Sequence, residues 1–410
     1  MFTVFANLIT RGNTLRTIDK SLAPQPQLTA FLVERNMPGV QVHTDRVDKT
    51  VGLKGLQTCP VTFDNVPITP EHVIGEKGNG ADVLFHTLTP DRIVSAARIS
   101  AALRILLNDT IKYACKRKQF QKRLIEFELI QHRLAQCAHH LFALESAVYM
   151  TAGLADYQKE PDIGVESAAT KRYAVKTGHL IVENCFSIIG SSTYMEGNRY
   201  KKMADDLRAF DWWEGTDEML GFHITVAGIA HVAGELQETV KHQRNGLTFP
   251  FQVLSRAIQT QRIQRDKPKL TLGFGDYVHP SLSKVGESVE YFVHRFHFAV
   301  ETLLVQQGRN AAFKEIDLAR LADICTDIYM MISALARANR SYCGGHAHAD
   351  HECALVIAYI NEREPIIKQA IEELLNDYWA KRDIVHTEIA EYMADRGTYA
   401  PVHPVTKNWF

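Results

Sequence analysis

The sequence lacks an excess of charge of either sign, and this absence excludes a global attraction to nucleic acid. Its 410 residues carry 46 lysines and arginines against 47 aspartates and glutamates, so any contact with a polyanion must be local. It also lacks an apolar run approaching the roughly 20 residues that span a bilayer. Its opening, Met1–Ala6, shows no basic amphipathic presequence. We therefore expect no nucleic-acid partner, no transmembrane helix and no import signal in this chain.

Cysteine is sparse and does not form a pattern typical of disulfide-rich domains. The seven cysteines are scattered and odd in number, as expected of reduced thiols that mostly serve packing. The hydrophobic fraction of 46% is ample for sizeable cores, and the length suggests two or three domains. The cysteines are Cys59, Cys115, Cys137, Cys185, Cys325, Cys343 and Cys353.

The most informative segment is Trp212–Glu218, which reads Trp-Trp-Glu-Gly-Thr-Asp-Glu. It predicts a carboxylate, Glu214, behind two large aromatic side chains and ahead of a helix start. Enclosure by apolar surface raises the pKa of a carboxyl group towards the pH at which proton abstraction works best, so Glu214 is a candidate general base. Gly215 allows the backbone to turn, and Thr216 suits a helix N-cap. The alternative interpretation is a buried loop with a capping threonine.

This segment resembles the active-site signature of the acyl-CoA dehydrogenases, an aromatic residue followed by Glu-Gly-Thr and two polar or acidic residues. Further segments resemble that family in the same order and approximate spacing, so the likeness covers roughly residues 1 to 235. They are Gly52–Lys54, Phe63–Asp64, Gly75–Gly80, Arg117–Phe120, Glu166–Lys171 and Asp206–Arg208.

The predicted fold class is mainly α, with a partial N-terminal β-domain followed by a helical bundle and a second helical domain. β-branched and aromatic residues between Gly, Pro and Asp predict short strands. After Gly80 the apolar spacing becomes helical, and we expect Pro90 to bend or break the first helix. The predicted strands are Phe2–Leu8, Leu28–Glu34, Gly39–Thr44 and Cys59–Phe63; helices follow near Ile125–Ala155, Val165–Ile189 and after Thr216.

We predict four parts: a partial middle β-domain (1–75), a helical bundle with the catalytic base (76–237), a basic amphipathic linker (238–275) and a C-terminal helical domain (276–410). The opening resembles the middle of the family's β-domain. We therefore expect the family's N-terminal helical domain and first strands to have no counterpart here.

Basic residues dominate the segment 241–269, whose single acidic residue is Asp266. Helix-spaced apolar residues accompany them, so one face would enter a membrane interface while the cations meet anionic headgroups. The alternative is a solvated basic linker. The basic residues are Lys241, Arg244, Arg256, Arg262, Arg265, Lys267 and Lys269.

The C-terminal part resembles the additional helical domain of the very-long-chain acyl-CoA dehydrogenases and of their relative known for assembling respiratory complex I. The likeness rests on Val278–Leu282, Glu301–Leu304 and Ser333–Ser341. It implies a mitochondrial homodimer on the matrix face of the inner membrane.

Potential metal ligands crowd between Cys343 and Glu352. Zinc sites usually draw paired ligands from separated elements. Gly344-Gly345 with alternating alanines instead predicts a loop between helices, and we expect no metal.

The resemblance implies FAD-dependent α,β-dehydrogenation of a long-chain acyl-CoA, with electrons passed to electron-transferring flavoprotein. Glu214 would remove the α-proton while the β-hydrogen leaves as hydride to the flavin. Arg117 would contact FAD across the dimer. The other residues implied at the cofactor are Gln119, Phe120, Ser187, Gly190, Ser191, Thr216 and Glu218; those at the substrate are Thr89, Asp91, Arg92 and Gly215.

The glycine-rich cofactor motif of the family departs from its pattern here, because Ser187–Thr193 keeps only Gly190 among the expected glycines. Each added side chain would hinder close approach of a cofactor to the backbone. Two functions therefore stay open at this point. One is the flavin-dependent dehydrogenase; the other is a catalytically impaired scaffold of the inner membrane, such as a complex I assembly factor.

Overall fold

The computed structural model describes residues 1–8, 27–157, 159, 161–244 and 270–405. Helices dominate these ranges and small sheets lie near the N-terminus, so the predicted fold class is confirmed. The chain divides between Asp217 and Glu218 into two compact units. The four-part domain division stays a prediction.

Three antiparallel strands form the main sheet of the first unit: β1 (Phe2–Leu8), β2 (Gln27–Val33) and β5 (Val73–Ile74), in the order β1-β2-β5. Phe2 pairs with Val33, and Ala30 pairs with Ile74. The four predicted strands are present, although β3 and β4 are shorter than expected; β5 was missed because two residues show no alternation. The strands are β1 Phe2–Leu8, β2 Gln27–Val33, β3 Val40–Val42, β4 Val61–Phe63 and β5 Val73–Ile74, with β3 paired to β4.

Long helices follow the sheet, as the change of apolar spacing predicts. Their buried faces supply the core of the first unit through residues such as Leu103, Leu144 and Ile181. A short hairpin of β6, Lys118–Gln119, and β7, Lys122–Arg123, separates the first two helices. The helices of the first unit are α1 Gly80–Lys116, α2 Glu128–Tyr157, α3 Gly164–Ile189 and α4 Arg199–Arg208. The next helix, α5 Asp217–Arg244, begins at the last residue of this unit and otherwise belongs to the second.

Pro90 does not break the first helix, because α1 runs through it without interruption. Proline removes the backbone donor that would bond the carbonyl of His86. His86 is exposed, so water can satisfy that carbonyl. Nearby, the Thr89 hydroxyl donates to the Phe85 carbonyl at 2.8 Å. The cost of the proline therefore stays local.

Close backbone approaches join the β-rich segment to the helices. The Gly78 N–H donates to the Thr29 hydroxyl at 3.0 Å, just before α1 begins. Further along, the Leu53 N–H donates to Asp206 Oδ1 at 2.6 Å, which fixes the loop to α4. Gly52 lies so close to α4 that an added Cβ would stand 2.1 Å from the Asp205 carbonyl oxygen.

The second unit contains four long helices after residue 270. Leu303 and Leu321 join a buried apolar cluster, and Tyr359 is fully buried on another helix. The predicted loop at Gly344-Gly345 is confirmed between two of these helices; the expectation that it holds no metal stays a prediction. The helices are α6 Ser283–Gln307, α7 Glu315–Cys343, α8 Ala349–Leu375 and α9 Asp377–Arg396.

The structure describes only the first residues of the predicted membrane-contact segment, 241–244. Helix α5 extends to Arg244, so the first residues of the expected linker are helical. Residues 245–269, which carry most of the amphipathic pattern, lie outside the described residues. Among the described helices, none has both the length and the apolar character needed to span a bilayer.

Substitution Gly52→Ala tests the contact between the loop and α4. The new methyl group would overlap the Asp205 carbonyl, so we expect a loss of about 1–3 kcal/mol in the free energy of unfolding. The control is Gly55→Ala, because a Cβ there meets nothing within 4 Å. Urea denaturation measures both. Equal stability of the two variants would show that the close approach is absent.

Candidate active site

The backbone around Glu214 forms a tight turn in an unusual conformation. The Gly215 N–H donates to the Trp212 carbonyl at 3.3 Å. Glu214 has a φ of 61° and Gly215 a φ of 118°. The second value confirms the need for a glycine at 215, whereas a left-handed glutamate costs roughly 1–2 kcal/mol. Such strain persists only where neighbouring contacts hold it.

Two buried cations supply those contacts, one from each long helix beside the turn. Arg92 on α1 donates through Nε to the Glu214 carbonyl oxygen at 3.3 Å. Lys171 on α3 donates through Nζ to the Gly215 carbonyl oxygen at 2.6 Å. Their exposed fractions are 4% and 1%. Consecutive carbonyls of the turn are thus held by charge-assisted hydrogen bonds, which are stronger than neutral ones.

The two oxygens of the Glu214 carboxylate differ in their surroundings. Oε1 accepts a hydrogen bond of 2.8 Å from the Ser95 hydroxyl on α1. Oε2 is buried and has no hydrogen-bond partner within the described part of the chain. An unpartnered buried carboxylate oxygen costs free energy, so a functional role for Oε2 is the natural explanation.

The electrostatics of this site favour a basic carboxylate. Burial raises the pKa of Glu214 and the charge of Asp91 adds to the rise, while the Ser95 hydrogen bond, Lys171 and Arg92 oppose it. Burial also lowers the pKa of Lys171 to about 8. Burial likewise lowers the pKa of Arg92, although Glu214 opposes that shift. A carboxyl group with a raised pKa is better matched to proton abstraction near neutral pH.

The tryptophan pair does not enclose Glu214 as the sequence suggested. Trp212 and Trp213 are 63% and 41% exposed, and Trp213 makes an edge contact with Phe210 at 5.8 Å between ring centroids. The surroundings of Glu214 come instead from α1 and α3. Adjacency to two tryptophans in sequence did not predict the surroundings of Glu214, because helices packed against the turn decide them.

An ion pair between α3 and α5 fixes the start of α5 directly after the turn. Arg172 donates two hydrogen bonds to the Asp217 carboxylate, from Nε to Oδ1 at 2.8 Å and from Nη2 to Oδ2 at 2.9 Å. The adjacent Lys171 holds Gly215, so consecutive residues of α3 contact both sides of Thr216. The capping role of Thr216 stays a prediction, as does a role for Glu218 at the next position of α5.

Apart from Thr216 and Glu218, the predicted cofactor residues lie at or beside the other end of α1. Arg117 ends that helix and leads into a turn with Phe120 at a φ of 51° and 89% exposed. The Tyr113 hydroxyl donates to the Ile189 carbonyl at 3.5 Å, which brings this end of α1 beside Gly190. Ser187, Gly190 and Ser191 are exposed there.

The predicted substrate residues Thr89, Asp91 and Arg92 lie near the beginning of α1. At a rise of 1.5 Å per residue, Arg92 and Arg117 are about 37 Å apart along the helix. One chain therefore brings Arg92 and Gly215 to Glu214 but leaves Arg117 remote from it. The sequence interpretation missed the hydroxyl of Ser95, and it treated Lys171 only as part of a core helix. In the sequence, both residues are polar positions on helix faces that the apolar spacing predicts to be buried, and this pattern could have singled them out.

Substitution Glu214→Gln tests the raised pKa through stability. A folded-state pKa above the unfolded value means that stability is lost as the pH rises through the folded pKa. The amide of the variant does not titrate and has no such loss. The variant should therefore be more stable than the parent at pH 7, and the difference should shrink towards pH 4. Urea denaturation across this range measures it.

The matched control is Glu126→Gln, because its partner Arg123 lowers the pKa of Glu126. The contact of Glu126 with Arg123 contributes stability above the unfolded pKa of Glu126, and this contribution is lost at acid pH. Glu126→Gln should therefore be less stable than the parent near pH 7, and the difference should shrink towards acid pH. A stability difference between Glu214→Gln and the parent that does not change with pH would contradict the assignment of a raised pKa.

Comparisons with known proteins find two matched domains in this chain. Residues 78–228 match the family model described as acyl-CoA dehydrogenase, C-terminal domain. Residues 280–399 match that described as ACAD9/ACADV, C-terminal domain. The Bacillus anthracis acyl-CoA dehydrogenase complexed with FAD is similar in structure, with a TM-score of 0.70 over 93% of this chain and 64% of that chain. At 19% identity this likeness concerns the fold alone.

Curated relatives extend the likeness over nearly the whole chain. The human very long-chain specific mitochondrial acyl-CoA dehydrogenase is 29% identical over 99% of this chain and 60% of the relative. The corresponding protein of Macaca fascicularis is 30% identical over 92% and 56%. The chain thus spans a little over half the length of these relatives. The two matched domains and the curated relatives together show that the chain belongs to the acyl-CoA dehydrogenase family.

Proposed function

We propose that this protein catalyses FAD-dependent α,β-dehydrogenation of long- or very-long-chain fatty acyl-CoA. The observation that carries the proposal is Glu214: a carboxylate with a raised pKa, one oxygen held and the other buried without a partner in the described structure. Abstraction of a weakly acidic α-proton needs such a base.

The proton step uses groups already present in the turn. The α-carbon–hydrogen bond breaks, the proton forms an O–H bond with Oε2 of Glu214, and the electron pair passes into the enolate of the thioester. Donors must stabilise the developing oxyanion. No acceptor for the Glu214 N–H is found among the described residues, so this group can donate to the thioester oxygen. Nη1 of Arg92 is also buried without a described partner and adds positive potential.

The residues at the far end of α1 fit a flavin nucleotide. Gly190 has a φ of 80°, and an added Cβ there meets nothing within 4 Å, so its backbone is open to a ligand. Arg117 follows Tyr113, whose hydroxyl contacts the Ile189 carbonyl, by about one helical turn, and its near neighbour Phe120 is exposed. Bound FAD would supply the acceptor for the β-hydride. Because Arg117 is remote from Glu214, we propose that it serves the cofactor of a partner subunit in a homodimer.

The names of the relatives support the proposed substrate length and mitochondrial location, whereas the electron acceptor and the matrix face are proposed from the family resemblance of the sequence alone. Two of the curated relatives are very long-chain specific mitochondrial enzymes by name, and the C-terminal domain matches that of ACAD9/ACADV. We propose a mitochondrial enzyme at the matrix face of the inner membrane that passes electrons to electron-transferring flavoprotein. Membrane contact through 241–269 belongs to the same proposal.

The alternative function is a scaffold or complex I assembly factor, supported by the resemblance noted in the sequence of the C-terminal part and by Ser191 and Ser192 after Gly190. A scaffold has no need of a strained glutamate held by buried cations. The geometry of the Glu214 turn therefore favours the dehydrogenase.

Anaerobic visible spectroscopy of the purified chain with FAD tests the proposal. We expect a flavin band that bleaches on addition of palmitoyl-CoA, because the β-hydrogen reduces the flavin when Glu214 takes the α-proton. Butyryl-CoA should bleach it far less. Glu214→Gln should keep the flavin band and lose the bleaching.

Two results would count against this proposal. A folded chain that takes up no FAD would favour the scaffold. Bleaching of Glu214→Gln at the rate of the parent would refute the assignment of the base.

A further inference from the structure

Ser95 is a buried polar residue in the middle of a helix, and its hydroxyl behaves unlike the others of that helix. Serine and threonine inside helices commonly donate to a carbonyl three or four residues earlier. Within α1, Thr87, Thr89, Ser100 and Thr110 all do so. Ser95 instead leaves its own helix and donates to Glu214 Oε1 at 2.8 Å.

The spacing along α1 explains how one helix reaches both parts of Glu214. Arg92 and Ser95 are three residues apart, so they lie on the same face. Arg92 holds the main-chain carbonyl of Glu214, and Ser95 holds its carboxylate. Ser95 is only 1% exposed, so water does not compete effectively for this hydrogen bond.

We propose that Ser95 is a positioning residue for the base: it fixes Oε1 of Glu214 and thereby presents Oε2 as the oxygen that receives the proton. This inference rests on the proposed dehydrogenase function for its catalytic consequence. The arrangement itself is observed: one oxygen of Glu214 is held, and the other is buried with no partner among the described residues.

The hydroxyl also acts on the ionisation of the carboxylate. A donor to Oε1 favours the charged form of Glu214 and lowers its pKa, against the larger effect of burial. The other charged groups that act on Glu214 are Asp91 and Arg92 from α1 and Lys171 from α3. Asp91 raises the pKa, and the two cations lower it. Ser95 is the neutral member of this set, so replacing it changes the hydrogen bond without changing the net charge.

The matched substitutions are Ser95→Ala and Ser100→Ala. Both remove one buried hydroxyl from α1, but Ser100 donates to the Ala97 carbonyl of its own helix. Ser95→Thr keeps a hydroxyl donor at this position.

In the stability experiment, Ser95→Ala should destabilise the chain more at pH 8 than at pH 4, since the lost hydrogen bond served the charged carboxylate. In the Glu214→Gln background this pH dependence should vanish. Ser100→Ala should show none in either background.

In the catalytic experiment, the acid limb of the pH–rate profile for flavin reduction should move up by about one pH unit in Ser95→Ala. Ser95→Thr should restore most of the parent profile, and Ser100→Ala should leave it in place. A rate that falls equally at every pH would overturn the positioning role.

The two experiments separate the inference from the proposed function. If the parent chain binds FAD but never reduces it, the dehydrogenase proposal fails, and the stability cycle with Glu214→Gln still decides on Ser95. Equal destabilisation by Ser95→Ala in both backgrounds at all pH values would show an ordinary packing role and overturn the inference.

Discussion

The structure of the site depends on two hydrogen bonds from buried cations to consecutive main-chain carbonyls. Arg92 holds the carbonyl of Glu214, and Lys171 holds that of Gly215. Together with the Ser95 hydrogen bond to its carboxylate, they hold a glutamate with a φ of 61°. Burying these cations is itself costly, which the lowered pKa values of both residues reflect. The chain accepts this cost at a turn where the Glu214 carboxylate is both desolvated and held by a hydrogen bond.

Helix α1 links the features that concern function. Its early turns carry Arg92 and Ser95 towards the base, and its end carries Arg117 towards Gly190. A rigid helix keeps these two groups about 37 Å apart. Its length therefore requires Arg117 to act elsewhere than at the Glu214 of its own chain, which is the basis for proposing a shared site in a homodimer.

The sequence predicted the regular elements well and the side-chain environment of the site less well. Helical apolar spacing placed α2 and α3 within a few residues of their bounds, because that pattern follows directly from burial of one face. The unbroken α1 was not predictable, since the effect of Pro90 depends on whether the freed carbonyl reaches water. Glu214 and Gly215 stood out from local pattern alone. Ser95 did not, because its role arises from a contact 119 residues apart in sequence.

In the proposed reaction, Glu214 removes a proton from the α-carbon of a bound acyl-CoA. The most direct test of this step is deuterium incorporation at that carbon when the FAD-loaded chain is incubated with palmitoyl-CoA in heavy water, followed by mass spectrometry of the recovered thioester. The account predicts α-deuteration by the parent chain and none by Glu214→Gln. Equal deuteration by the two proteins would contradict it.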